Sequence, residues 1–151
     1  MSNRIPPIVP MSSPDLTDAD RQAVMAVLNT PNLSIGPKIE EFEAAFCKLT
    51  GAKHAIGVNS GTAGLHLCVR AAGIGAGRLV VTTPFSFVSS TNVLLFENAT
   101  PVYVDVDPMT GNLDVQQTAL VLRDLAAGGD AARRWLPRSG APVDARPGGI
   151  L

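Results

Sequence analysis

The run of small polar residues from Asn59 to Gly64 has the clearest potential for chemistry in this sequence. It follows Ile56 and Val58, which have strand character, and it precedes a segment with apolar residues at helical spacing. A strand that passes through small residues directly into a helix leaves several backbone N–H groups free at the helix start. These donors, the helix dipole and the hydroxyls of Ser60 and Thr62 predict a site for an anion of phosphate size.

The pattern differs from the established phosphate motifs. It lacks the Gly-x-Gly-x-x-Gly spacing of dinucleotide sites, and no lysine follows the glycines as it does in a Walker loop. On the local pattern alone, an ordinary strand-to-helix turn capped by Ser60 explains these residues about as well as an anion site.

Composition narrows the class of protein. The chain has 151 residues, of which 46% are hydrophobic and 17% charged, enough for one domain with a core. A net charge of −1 argues against nucleic acid or a membrane surface as a partner. Because Cys47, Cys68, His54 and His66 lack metal-ligand spacing, we expect no metal site, reduced cysteines and a cytoplasmic location.

Periodicity predicts alternating strands and helices. Two helices, over residues 17–29 and 38–49, precede a βαβαβ unit with parallel strands. Ligands in such sheets lie at the carboxyl ends of the strands, where residues 60–62, 84–87 and 105–107 fall. The predicted strands are 55–58, 79–82 and 101–104, and the predicted helices that follow them are 60–73, 86–97 and 114–125.

The two ends of the chain differ from its middle. Residues 1–14 are proline-rich and are expected to lie extended over a surface. From residue 126 onward Ala, Gly, Arg and Pro dominate, and neither strand nor helix periodicity is evident. We therefore predict that residues 126–151 form a poorly ordered, solvated tail or insertion rather than a nucleic-acid-binding arm, since Trp135 is its only aromatic residue.

Five stretches of the sequence, taken in order, carry a resemblance to a known family. They are Gly-Pro-Lys-Ile-Glu-Glu-Phe-Glu (36–43), Gly-Ala-Lys-His-Ala (51–55), Asn-Ser-Gly-Thr-Ala-Gly-Leu-His-Leu (59–67), Thr-Thr-Pro-Phe-Ser-Phe-Val-Ser-Ser (82–90) and Ala-Thr-Pro-Val-Tyr-Val-Asp-Val-Asp-Pro (99–108). Together they resemble the DegT/DnrJ/EryC1/StrS family of sugar aminotransferases, which depend on pyridoxal 5'-phosphate (PLP). The resemblance covers residues 5–114 and implies an α/β, aspartate-aminotransferase-like (fold type I) large domain. Residues 1–125 would be its N-terminal part, with a truncated parallel βαβαβ sheet.

The resemblance also implies an activity. Members of the family act as homodimers and move an amino group from glutamate or glutamine to a keto-sugar carried on a nucleotide. It further implies that the PLP phosphate is held by Ser60, Gly61, Thr62 and Ala63, and that Phe87 stacks on the pyridine ring. Core packing is the alternative for Phe87. The loop at 34–36 resembles one near the substrate, although a plain connector explains it nearly as well.

The family's reacting groups have no counterpart in this chain. Transamination needs a lysine that forms a Schiff base and a carboxylate facing the pyridine nitrogen. Neither Lys38, Lys48 nor Lys53 matches the catalytic position, and Asp105 and Asp107 fit turn formation better. We therefore assign no catalytic residue and expect an N-terminal fragment that is inactive alone. A PLP-dependent sugar dehydratase of the same family and a non-catalytic binding module remain as alternatives.

Two smaller departures from the family pattern also stand out. The family usually has an acidic pair before the second predicted strand, where this chain has Arg78-Leu79. Glu97-Asn98 stands where a Gly-Ala turn is common. We interpret both as tolerated surface changes, so neither alters the expected fold.

Overall fold

The computed structural model describes residue 10, residues 12–138 and residues 145–151. The predicted extended segment at 1–14 therefore lies largely outside the described residues. The chain divides into two compact units, with the boundary after Gly57. The first contains α1 (Asp18–Leu28) and α2 (Pro37–Thr50); the second contains α3 (Gly61–Ala71), β1 (Arg78–Thr82), α4 (Ser89–Phe96), β2 (Thr100–Tyr103), α5 (Val115–Ala127), α6 (Gly129–Arg133) and β3 (Arg146–Ile150).

Capping residues define where α1 begins and where α2 ends in the first unit. The Asp20 amide donates to the Thr17 hydroxyl, and the Asp20 carboxylate accepts from the Thr17 amide at 2.8 Å, so the two residues form a capping box. Gly51 ends α2 in the left-handed conformation, at φ 73°, as its position predicts. Neither helix buries a residue. Their apolar faces are thus largely exposed, with Phe42 at 55%.

The second unit is built around a parallel sheet. The strand order is β2-β1-β3, so β1 is central and hydrogen-bonds on both edges. Strand β3 contains a bulge, because Leu79 pairs with Pro147 while Val80 pairs with Gly149. Gly148 is the extra residue, and a Cβ there would lie 2.9 Å from the Cβ of Arg78. The predicted α/β class with a small parallel sheet is confirmed.

Helices cover both faces of this sheet. Alternate residues of β1 point to opposite faces, so Leu79 and Val81 enter one core and Val80 enters the other. The α3/α4 core contains Val69, Val80, Val93, Leu94 and Ala99. The α5/α6 core contains Leu79, Val81, Val102, Val104, Val121, Leu125 and Ala132.

The predicted strand at 55–58 is wrong. These residues form neither a helix nor a strand, and Ile56 is 79% exposed. A strand needs a neighbour for its backbone hydrogen bonds as well as an apolar sequence. Residues 55–58 make no strand pairing with a described residue, so their apolar sequence alone does not form a strand.

The predicted poorly ordered tail at 126–151 is also wrong for its described residues. Residues 129–133 form α6, and Ala132 is buried in the α5/α6 core. Trp135 and Leu136 pack against the same core, and residues 146–150 form β3. Residues 139–144 lie outside the described part. The sequence of this segment has no helix or strand periodicity, because its structure is determined by contacts with β1 and α5.

Candidate functional site

The site predicted from sequence begins at the first turn of α3. Ser60 is extended, at φ −162° and ψ 158°, and its hydroxyl oxygen accepts from the Ala63 amide at 3.1 Å. The Gly64 amide donates to the Ser60 carbonyl, also at 3.1 Å. No described residue accepts a hydrogen bond from the amides of Gly61 and Thr62. Two backbone donors therefore remain available at the positive end of the helix, and the Ser60 hydroxyl makes only a long hydrogen bond to Asn59 Oδ1, at 3.5 Å.

The space in front of these donors is open. Ser60 and Gly61 are exposed, and a Cβ built on Gly61 would meet no atom within 4 Å. Thr62 and Ala63 are partly exposed. A phosphate-sized anion can thus approach the two amides without displacing described atoms, and the donor set matches the chemistry of phosphate oxygens.

The turn after β1 presents aromatic side chains. The predicted helix at 86–97 begins only at Ser89, so Phe85 and Phe87 lie in the preceding turn. Their exposed fractions are 72% and 76%. Core packing, the alternative considered for Phe87, is therefore absent within this unit. The exposed Phe87 ring is free to stack on a ligand.

The later helix start determines which side of α4 faces the core. Ser89, Val93 and Leu94 are buried. Val88 and Leu95 are more than half exposed. The helix predicted at 86–97 thus begins three residues too early, because residues 86–88 precede α4.

Polar groups also follow β2. The Tyr103 hydroxyl donates to Thr91 Oγ1 at 3.1 Å, which connects the end of β2 to α4. Asp105 accepts from the Val106 amide, and Asp107 accepts from the Met109 amide at 2.7 Å. The two carboxylates therefore form the local turn bonds that the sequence favours for them.

One cluster was missed by the sequence analysis. His66 Nε2 lies 2.6 Å from Oε1 of Glu97, and Arg70 donates to the same oxygen at 3.3 Å. Glu97 thus connects α3 to the end of α4, and interpreting it as a tolerated surface change was wrong. Asn98 has φ 56°, and the Ala99 amide donates to the Leu94 carbonyl, so Asn98 fills the left-handed position that a glycine commonly occupies.

Two carboxyl groups that are not part of the candidate site, those of Asp20 and Asp124, have perturbed pKa values. The hydroxyl and amide of Thr17 hold the pKa of Asp20 below its ordinary value. Hydrogen bonds from the Trp135 indole and the Arg134 guanidinium do the same to the pKa of Asp124. Among the described residues no group of three or more His, Cys, Asp or Glu could hold a metal ion.

The sequence profile described as the DegT/DnrJ/EryC1/StrS aminotransferase family matches residues 14–123. This chain belongs to that family. Proteins of similar sequence support this family assignment. The spore coat polysaccharide biosynthesis protein SpsC of Bacillus subtilis (strain 168) is 43% identical over 106 residues, which is 70% of this chain and 27% of SpsC.

Solved structures of DegT/DnrJ/EryC1/StrS aminotransferases share the fold. The aminotransferase of this family from Brucella abortus has a TM-score of 0.72 at 27% identity, covering 86% of this chain and 31% of that one. A sugar aminotransferase, Spr1654 from Streptococcus pneumoniae, solved in its PLP form, has a TM-score of 0.69 at 31% identity. The match covers 73% of this chain and 28% of Spr1654. The chain thus spans less than a third of the length of the relatives it matches.

The lysines of this family member all lie in the first unit. Lys38 is in the first turn of α2, 2.5 Å from Glu41, and Lys48 is in its last turn. Lys53 follows α2, and no lysine occurs from residue 58 onward. The unit that carries Ser60–Ala63 and Phe87 therefore has no lysine of its own. Among the described helices, none has both the length and the apolar character needed to cross a bilayer.

Proposed function

We propose that this chain provides the phosphate-binding part of a PLP site in an aminotransferase that acts on nucleotide-linked keto-sugars. The observation that carries the proposal is the open start of α3, where the Gly61 and Thr62 amides are free in a chain of this family. Ser60, Gly61, Thr62 and Ala63 would hold the phosphate, as the donor chemistry favours.

Phe87 completes the proposed site. Its largely exposed ring would lie against the face of the pyridine, which restricts the cofactor's orientation. When bound, PLP supplies an electron sink for chemistry at the carbon that carries the amino group. The residues of this chain would bind and orient the cofactor, and none of them is assigned a proton transfer.

The substrate class rests on the relatives. SpsC is named for polysaccharide biosynthesis, and Spr1654 is named as a sugar aminotransferase. We accordingly propose a nucleotide-linked keto-sugar as acceptor, glutamate or glutamine as amino donor, and a homodimer as the working assembly. Because its three lysines match no catalytic position, we propose that this chain alone performs no transamination.

The proposal is tested by comparing PLP with pyridoxal, which lacks the phosphate. In ¹⁵N-labelled protein, PLP should shift the amide resonances of Gly61 and Thr62 saturably, whereas pyridoxal should leave them unchanged. Equal shifts with both compounds, or none with either, would refute the phosphate assignment.

A matched pair of variants sharpens this test. Gly61→Asp places a carboxylate where the anion would lie, and the open space around Gly61 admits the side chain without a clash. An aspartate in the first turn is also favourable for the helix, so the variant should fold. It should abolish the PLP-dependent shifts, while the neutral Gly61→Asn should retain most of them. Binding of PLP to Gly61→Asp at wild-type affinity would contradict the proposal.

A further inference from the structure

A second polar cluster surrounds Asp124 on α5. One oxygen, Oδ2, accepts from the Trp135 indole at 2.7 Å and from Arg134 Nε at 3.1 Å. A second nitrogen of the Arg134 guanidinium also donates to it. The guanidinium lies 5.1 Å from the centroid of the Trp135 ring, within the range of a cation–π contact. Three donors from two consecutive residues thus converge on one carboxylate oxygen.

The Asp124 carboxylate is more buried than a carboxylate in an exposed surface ion pair. The Asp124 side chain is only 15% exposed, whereas that of Arg134 is 55% exposed. Arg123, on the same helix, adds a favourable charge. On α6, Asp130 and Arg133 pair with each other at 3.7 Å and are almost fully exposed. Asp124 is therefore the acidic group that holds Arg134 and Trp135.

The residues held by this cluster need such support. Helix α6 has only five residues, too few to be stable by its own hydrogen bonds. Residues 129–136 nevertheless bring Ala132, Trp135 and Leu136 onto the α5/α6 core. This segment lies beyond residues 14–123, the range that matches the family. Its described apolar contacts with the core are those of Ala132, Trp135 and Leu136.

We propose that Asp124 acts as a carboxylate latch, which holds residues 129–136 against α5 and releases them when the carboxylate is neutralised while the sheet stays folded. Hydrogen bonds to a charged acceptor are stronger than those to a neutral one, so loss of the charge weakens all three contacts together. The lowered pKa of Asp124 agrees with this, because the bound donors favour the ionised form.

The single tryptophan of the chain reports on the latch directly. In Asp124→Asn at pH 7, the fluorescence emission of Trp135 should shift to the red while the far-UV circular dichroism is retained. Amide hydrogen exchange across residues 129–136 should accelerate by about tenfold, the difference between charged and neutral hydrogen bonds. Exchange in α3 should be unchanged.

The matched control is Asp130→Asn, which removes the same charge from an exposed carboxylate six residues away. It should leave the emission and the exchange of residues 129–136 as in the wild type. If Asp124→Asn behaves like this control, the latch is refuted. If Asp124→Asn fails to fold, acid titration of the wild type decides: an emission shift that precedes loss of circular dichroism supports the latch, and coincident midpoints overturn it.

Discussion

Replacing Ser60 by alanine separates the two roles that its hydroxyl has at the start of α3. The oxygen caps the helix by accepting from the Ala63 amide, while the hydroxyl proton, which donates to Asn59 Oδ1 only at 3.5 Å, can turn to a bound anion. Loss of an N-cap costs about 1 kcal/mol. In a unit of this size, that lowers the melting temperature by about 4–8 °C.

The second role, donation of a hydrogen bond to a bound anion, should contribute to the affinity for phosphate. A hydrogen bond to a charged group contributes about 1.5–3 kcal/mol, so losing the hydroxyl donor should weaken phosphate binding about 10- to 150-fold. The matched control is Asp114→Ala, which removes the cap of α5, where the Asp114 carboxylate accepts from the Gln117 amide at 2.9 Å. Both variants should lose a similar amount of stability in the absence of ligand.

The assay is thermal unfolding at increasing concentrations of PLP, with inorganic phosphate as a second titrant. Wild type and Asp114→Ala should gain stability as ligand is added, since binding to the folded state raises its stability. Ser60→Ala should require a much higher concentration for the same gain. If Ser60→Ala gains stability at wild-type concentrations, or if Asp114→Ala loses the response as well, Ser60 is a cap and nothing more.

Three further predictions test other parts of the chain. Gly148→Ala should destabilise the sheet by about 1–3 kcal/mol, because its Cβ would lie 2.9 Å from that of Arg78. Gly149→Ala is the control, since its Cβ would make an ordinary 3.4 Å contact; denaturant unfolding compares the two. Asp20→Asn should destabilise α1 at pH 7. The lowered pKa of Asp20 means that its contribution is present above its ordinary pKa and is lost as pH falls through the folded value. The difference between variant and wild type, followed by circular dichroism, should therefore vanish in acid, and a constant difference would contradict the assignment. Finally, borohydride treatment with PLP should attach no cofactor to a lysine under conditions where phosphate binding is saturated; a single modified lysine found by mass spectrometry would overturn the proposed lack of activity.

Features set by neighbouring residues could be predicted from the sequence. The capping box at Thr17, the Ser60 cap and the left-handed Gly51 each depend on residues within one helical turn. The strands at 78–82 and 100–103 were found within one residue, because a short apolar run between turn residues is typical of a buried parallel strand. The candidate anion site is of the same local kind.

Features set by distant partners could not be predicted. Strand β3 has the sequence Arg-Pro-Gly-Gly-Ile, which lacks strand periodicity and is extended because β1 hydrogen-bonds to it. Glu97 looked like a surface residue because its partner His66 is 31 residues away. The role of Trp135 could not be predicted either, because its indole donates to Asp124, which lies 11 residues earlier on α5. Each of these contacts requires knowledge of which elements are neighbours.

The position of β1 between two strands has a consequence for synthesis on the ribosome. Its partner β2 emerges about 20 residues later, but Arg146, which pairs with Arg78, emerges only after nearly 70. Until then a nascent chain presents one bare edge of an apolar strand, the kind of surface that joins other chains. Slow translation before β3 should thus favour aggregation, and chaperones that cover strand edges should matter most in that interval.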